Sequence, residues 1–219
     1  MDEKLKIILV DDHDMFRDGI KALLTKNNFA EIIGEASNGA EFLGLIETRY
    51  PDIVLMDISM PVMNGLEATK KATQKYPNIK ILILSMISDE EHYYYMIHCG
   101  AKGYVLKTAR QEELIHAINT VTMGDNYFTS EFIRKIKKHI QQNELSGDER
   151  ALIYEKLENM EKEILRYLAS GQSINESAER LQIEQSAAEK YLKQMLEKTN
   201  TPDTITLIMF ALQNQIINV

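Results

Sequence analysis

The chain has a single cysteine among its 219 residues. One thiol, Cys99, excludes an internal disulfide and any multi-cysteine metal site, and a small buried hydrophobe is its expected role. No apolar run approaches the roughly 18 residues of a membrane span. The opening MDEKLK leads only into the short run IILV, which stops at two aspartates, so the long apolar stretch and small-residue cleavage site of a signal peptide are missing. A cytoplasmic protein without membrane contact is expected. Basic excess is missing as well: 25 Lys and Arg face 33 Asp and Glu, a net charge of −8. Residues 1–124 hold 18 acidic against 13 basic side chains, 125–151 hold five of each, and 152–219 hold ten against seven. No segment has the basic balance of a sequence-blind nucleic-acid binder, although an acidic domain can still carry a local basic stripe.

What is present is the material of folded domains. Hydrophobic residues make up 44% and charged residues 26%, enough apolar content for real cores, and the length suits two small domains. Over residues 1–124 short β-rich runs (KIILV, EIIGEAS, DIVLMD, ILILS, GYVLK) alternate with segments of helical period. That alternation predicts βαβ units and a doubly wound five-stranded parallel sheet. The continuous apolar strands Ile7 to Val10, Ile53 to Met56 and Ile81 to Leu84 fit burial on both faces. Pro51 and Pro77 fall where helices should end before strands three and four.

In such sheets ligands bind beyond the carboxyl ends of the strands. Strand one ends in Asp11 and Asp12, strand three in Asp57, strand four in Ser85 and strand five in Lys107. Strand two ends in Ala36 and Ser37 without a charge, which suits an edge strand. Three carboxylates, a hydroxyl and an ammonium are therefore expected on one rim. Neighbouring carboxylates repel unless a cation joins them, and an all-oxygen set suits Mg²⁺. Asp57 is then an oxygen nucleophile beside a metal that neutralises an incoming phosphoryl group, with Lys107 and Ser85 placed to contact phosphoryl oxygens. Strand-end Asp and Ser also serve as ordinary caps, but five such residues together favour reversible aspartyl phosphorylation.

The stretches IILVDDHDMFRDGI, DIVLMDISMPVMNG, ILILS and GAKGYVLK resemble the receiver domain of bacterial two-component response regulators, over residues 1 to about 124. The resemblance implies a flavodoxin-like fold, Asp57 as phosphoacceptor, and Mg²⁺ held by Asp11, Asp12, Asp57 and the main-chain carbonyl of Ser59. It further implies Lys107 and Ser85 as phosphoryl sensors, and Tyr104 as the aromatic that turns inward on activation. A sensor histidine kinase is the implied phosphodonor, a homodimer the implied phosphorylated form, and transfer to and from its own aspartate the only catalysis. Asn64 stands where Asp is commoner, a mild departure. The haloacid dehalogenase phosphatases resemble this fold and metal but place the nucleophile in D-x-D after strand one. Asp12 and Asp14 meet that pattern by letters alone, because Met15 and Phe16 follow.

Other features of the chain carry weaker signals. A helix expected near 89–99 holds Tyr93, Tyr94 and Tyr95, an aromatic group suited either to partner contact or to partial burial. The five histidines (His13, His92, His98, His116, His139) show no metal-binding spacing with a carboxylate or cysteine. Residues 125–151 are expected to be a linker with one amphipathic helix, N-capped by Thr129 or Ser130 and bearing Phe132, Ile133, Ile136 and Ile140.

From 152 to 219 strands vanish and helices are expected at about 158–169, 174–181, 184–198 and 203–216, with Gly171 ending the first. A small all-α helix-turn-helix domain follows from this pattern. Leu157, Glu161, Ile164, Leu165, Ala169, Gly171, Ser173, Glu176, Ala178, Leu181, Ile183 and Lys198 are similar to the LuxR-type DNA-binding domain of the NarL and FixJ response regulators. The implied function is DNA-binding transcription regulation. Along the recognition helix Ala187, Ala188, Glu189 and Tyr191 replace the family's Thr-Val-Lys and His, which weakens the expected contact with double-stranded DNA. Ser186, Lys190, Tyr191, Lys193, Gln194 and Lys198 are the remaining contact candidates. A phosphorylation-switched protein interaction module is the competing expectation, because the −3 charge and Glu189 oppose phosphate binding.

Overall fold

The apolar runs of the N-terminal half become strands, and the segments of helical period pack around them. The computed structural model describes residues 4–86, 99–129, 132–133, 155–214 and 216–217, in two units, Met1–Gly124 and Asp125–Val219. The first unit runs β1 (Leu5–Val10), α1 (Asp14–Thr25), β2 (Ala30–Ala36), α2 (Gly39–Leu45), β3 (Ile53–Asp57), α3 (Gly65–Lys75), β4 (Ile81–Ser85), β5 (Gly103–Leu106) and α4 (Gln111–Thr122). All strand pairs are parallel, in the order β2-β1-β3-β4-β5. Strand β2, whose carboxyl end at Ala36 carries no charge, is an edge, as expected.

Register places the chemistry at one end. Val10 lies opposite Met56, and Asp57 opposite Leu84, so residues that follow β1, β3 and β4 emerge at the same rim. Beneath it Ile7, Ile8, Ile53, Val54, Ile81, Leu82 and Ile83 are fully inaccessible. Each such side chain stabilises the fold by about 2 kcal/mol through burial, which makes the sheet a rigid platform for the loops.

The second unit is helical among its described residues: α5 (Asn159–Ala169), α6 (Ile174–Leu181), α7 (Gln185–Thr199) and α8 (Thr204–Gln213). Local chemistry sets the boundaries. Glu158 with Glu161 opens α5, and Ser173 with Glu176 opens α6, each as a reciprocal capping box. Gly171, at φ 85°, closes α5: its N–H bonds Leu168 and that of Gln172 bonds Tyr167. The short α6–α7 turn passes through Gln182 in the left-handed region, φ 54°. Core side chains Ile164, Leu165, Met195 and Leu207 are all inaccessible.

The expected tyrosine-rich helix near 89–99 lies outside the described residues apart from Cys99, which is buried. Of the helix expected after residue 129, only Phe132 and Ile133 are described; both are buried, and the Phe132 N–H donates to the Thr129 hydroxyl at 3.2 Å. Among the described residues no helix is long and apolar enough to cross a membrane.

Candidate functional site

Asp11 and Asp12 leave β1, Asp57 ends β3, Ser85 ends β4 and Lys107 follows β5, so the sheet itself gathers them. The Lys107 ammonium lies 2.6 Å from Asp11 Oδ2 and 3.0 Å from Asp57 Oδ2, with both carboxylates and the lysine almost inaccessible. Lys107 also stands 4.7 Å above the ring of Phe16, a cation–π contact from α1 that sequence reading had not singled out. The Lys107 N–H donates to the Ser85 carbonyl at 2.7 Å, which ties the ends of β4 and β5 together. Ser85 and Tyr104 are buried; Asp12 is half-buried and Ser59 exposed.

The electrostatics favour a cation. Burial pushes the Asp57 carboxyl above its usual range; the Lys107 ammonium pulls it back, Asp11 raises it further, and the Ile58 N–H, donating to Oδ1 at 2.8 Å, opposes that. Asp11 Oδ2 and Asp12 Oδ1 are buried yet accept no hydrogen bond among the described residues, so the approach of Lys107 to Asp11 is coulombic rather than well aligned. One ligand atom from each of Asp11, Asp12, His13 and Asp57 lies within 4.8 Å of the others. Hard oxygens without donors fit Mg²⁺. His13, one of five histidines among which the sequence shows no metal-binding spacing, stands beside the carboxylates of Asp11 and Asp12. Its signal was adjacency to Asp11 and Asp12 in a loop rather than helical spacing.

The loop after β3 is held by backbone. The Gly65 N–H donates to the Ile58 carbonyl at 2.9 Å, and Asn64 caps α3 by accepting from the Glu67 N–H at 2.9 Å. The departure at Asn64 therefore still supplies a strong N-cap. Val62 is exposed and left-handed, φ 66°, an unfavourable conformation for a β-branched residue.

On α7, Ser186, Glu189, Lys190 and Lys193 are exposed, and Tyr191 and Gln194 half-exposed. The Glu189 carboxylate accepts from Gln185 Nε2 at 2.9 Å. Two sequence assignments change. Ala188 is a core residue, fully inaccessible, so its small side chain affects packing rather than a DNA surface. Lys198 is committed inward: its ammonium donates to both oxygens of Glu161 at 2.7 and 2.8 Å, and Glu161 is fully buried. A buried carboxylate needs that partner, so Lys198 is a structural cation rather than a free phosphate contact. Sequence reading also passed over Asp125. It is buried within the second unit, bonded to the backbone N–H groups of Asn175 and Ile174, and pushed up to about 6 by burial and by Glu189 and Glu176.

Comparison with known proteins agrees with this geometry. Residues 7–119 match the family described as response regulator receiver domain, and residues 155–211 match bacterial regulatory proteins of the luxR family. The chain is 33% identical to the oxygen regulatory protein NreC of Staphylococcus carnosus, over 98% of this chain and 100% of that protein. It is likewise 33% identical to the transcriptional regulatory protein LiaR of Bacillus subtilis, with the same coverage. A solved LuxR-family two-component response regulator from Aurantimonas superposes with a TM-score of 0.58 at 30% identity, over 63% of this chain and 98% of that one. A structure of RcsB dimers bound to DNA shares the fold at 20% identity and a TM-score of 0.57, over 95% of this chain and 98% of that one. The chain belongs to the response regulators of two-component systems, in the NarL/FixJ group that joins a receiver domain to a LuxR-type DNA-binding domain.

Proposed function

We propose that Asp57 accepts a phosphoryl group from a sensor histidine kinase in the cytoplasm, and that the phosphorylated chain dimerises to regulate transcription. The convergence of Asp11, Asp12, Asp57 and Lys107 on one rim carries this reading. An Asp57 oxygen attacks phosphorus, the phosphorus–nitrogen bond of the donor phosphohistidine breaks, and the leaving imidazole takes up a proton. Asp11, Asp12, Asp57 and the Ser59 carbonyl would hold Mg²⁺, which would neutralise phosphoryl charge when bound. Lys107 exchanges its carboxylate contacts for a phosphoryl oxygen, Ser85 hydrogen-bonds another, and buried Tyr104 follows that movement. Loss of the phosphoryl group to water reverses the state.

Shifting the receiver from almost wholly inactive to almost wholly active takes about 5.5 kcal/mol of differential interaction, which these phosphoryl contacts supply. Two recognition helices then bind double-stranded DNA together through Ser186, Lys190, Tyr191, Lys193 and Gln194, avidity offsetting the repulsion of Glu189. The relatives named as transcriptional regulatory proteins support a DNA target. The test is phosphorylation by acetyl phosphate with Mg²⁺, followed by recovery of genomic DNA fragments at two salt concentrations. The wild type gains one phosphoryl group and enriches a few sequences, with a shallow salt dependence; Asp57→Asn does neither. Phosphorylation of Asp57→Asn, or no enrichment by phosphorylated dimers, contradicts the reading.

A further inference from the structure

We propose that Asp125 is an internal competitor of DNA phosphate: its carboxylate occupies the first turn of α6, and the second unit binds DNA fully only when that carboxylate leaves or loses its charge. This competition presupposes the DNA-binding reading above and sets what holds that binding in check.

The first turn of a helix leaves its N–H groups without intrahelical partners. At α6 the capping box satisfies two of them: the Glu176 N–H donates to the Ser173 hydroxyl at 3.1 Å, and the Ser173 N–H donates to the Glu176 carboxylate at 2.7 Å. The Ile174 and Asn175 N–H groups lie between these, and both donate to the carboxylate of Asp125, a buried residue at the opening of the second unit.

Position gives this contact its meaning. α6 is the first helix of the helix-turn-helix and α7 the recognition helix. In this motif the first helix crosses the DNA backbone, and N–H groups at a helix N-terminus seat phosphate oxygens. Asp125 puts the same chemistry there from within the chain, an anionic oxygen on two N–H groups. Burial, then Glu189 on α7 and Glu176 on α6, push its carboxyl up to about 6, while the Asn175 and Ile174 N–H groups hold it down. Glu176 is tied into the capping box, whereas Glu189 is exposed, so the repulsion it exerts on Asp125 is exerted equally on an arriving phosphate. Protonation of Asp125 removes the competing charge, so DNA affinity rises as pH falls through the titration of this carboxyl.

A cap that serves stability alone differs in one respect: its loss weakens DNA binding or leaves it unchanged, whereas loss of a competitor strengthens it. The full chain, as wild type, Asp125→Ala and Asp125→Asn, is titrated into a fluorescein-labelled DNA duplex of mixed sequence at several salt concentrations. Anisotropy reports binding, and circular dichroism gives the folded fraction, so that affinity is expressed per folded molecule. Asp125→Ala frees both N–H groups and removes the charge; its affinity rises about tenfold at about 50 mM salt, and the log–log salt dependence steepens by about 0.9, the signature of one further phosphate. Asp125→Asn keeps an acceptor over the N–H groups and gains less, without steepening. Between about pH 8 and about pH 5 the wild type gains affinity beyond any gain in either variant. An Asp125→Ala affinity at or below that of the wild type, with an unchanged salt slope, makes Asp125 a cap alone and overturns the proposal. If Asp125→Ala does not fold, equal pH dependence in the wild type and Asp125→Asn overturns it. Failure of every form to bind the duplex at the lowest salt instead overturns the DNA-binding reading.

Discussion

Gly65 packs its Cα directly against the carbonyl of Asp57: a Cβ at position 65 would stand 1.8 Å from that oxygen. The obstacle is main chain, not a flexible side chain, so any larger residue must push the end of β3 or the start of α3 aside. Gly65→Ala is expected to cost about 3 kcal/mol or more of stability and to move Asp57 away from Asp11 and Lys107. Urea unfolding with phosphorylation by acetyl phosphate checks it; a variant as stable and as readily phosphorylated as the wild type contradicts the packing argument.

Lys107 is the only cation seen between Asp11 and Asp57 among the described residues. Without divalent ions, Lys107→Met leaves buried carboxylates uncompensated and is expected to destabilise the receiver by about 3 kcal/mol. Mg²⁺ at a hundredfold its Kd restores about 2.7 kcal/mol by mass action. Thermal unfolding with and without Mg²⁺ measures both effects. The sign at Asp57 is opposite: its carboxyl is raised in the folded state, so its contribution to stability is intact at low pH and is lost as pH rises through that folded value. Metal-free Asp57→Asn is accordingly more stable than the wild type at neutral pH.

Lys198 holds the buried Glu161 carboxylate, which also accepts the Glu158 N–H at 2.7 Å. Removing the ammonium in Lys198→Met strands that charge, at an expected cost of about 2 to 3 kcal/mol once the partial exposure of Lys198 is allowed for. DNA affinity per folded molecule stays near the wild-type value. A stability change below about 0.5 kcal/mol together with a large loss of DNA affinity would restore Lys198 to the recognition surface.

Asp125 supplies a pH dependence in the second unit. Its folded value of about 6 lies above the ordinary carboxyl value of 3.8, so its contribution is intact below the lower value and is lost as pH rises through the upper. Asp125→Asn keeps an acceptor for the Ile174 and Asn175 N–H groups and removes the charge. It is expected to stabilise the second unit by about 2 kcal/mol at pH 8 and by almost nothing near pH 4. Circular dichroism melts at the two pH values decide the matter; equal effects at both would show that charge is not the cause.

Much of this molecule is legible in one dimension because its periodicities are local. Runs such as IILV and ILILS, ended by Asp or Ser, mark parallel strands and their functional ends, and Ser173 with Glu176 marks a helix start. Asp57, Lys107 and Ser85 come within reach because every strand of a parallel sheet points the same way, so a residue at a strand's end has its neighbours implied by topology.

Side-chain commitments across long separations are different. That Lys198 faces Glu161, 37 residues away, rather than solvent depends on how α7 crosses α5. That Ala188 is core, that Asp125 meets the start of α6, and that the imidazole of His13 turns back toward Asp11 and Asp12 depend likewise on rotation about helices and loops in three dimensions. Residue type states what a group can bind; burial and the distance to its partner select which binding it performs, because desolvation leaves a charge no favourable alternative to the neighbour that packing provides.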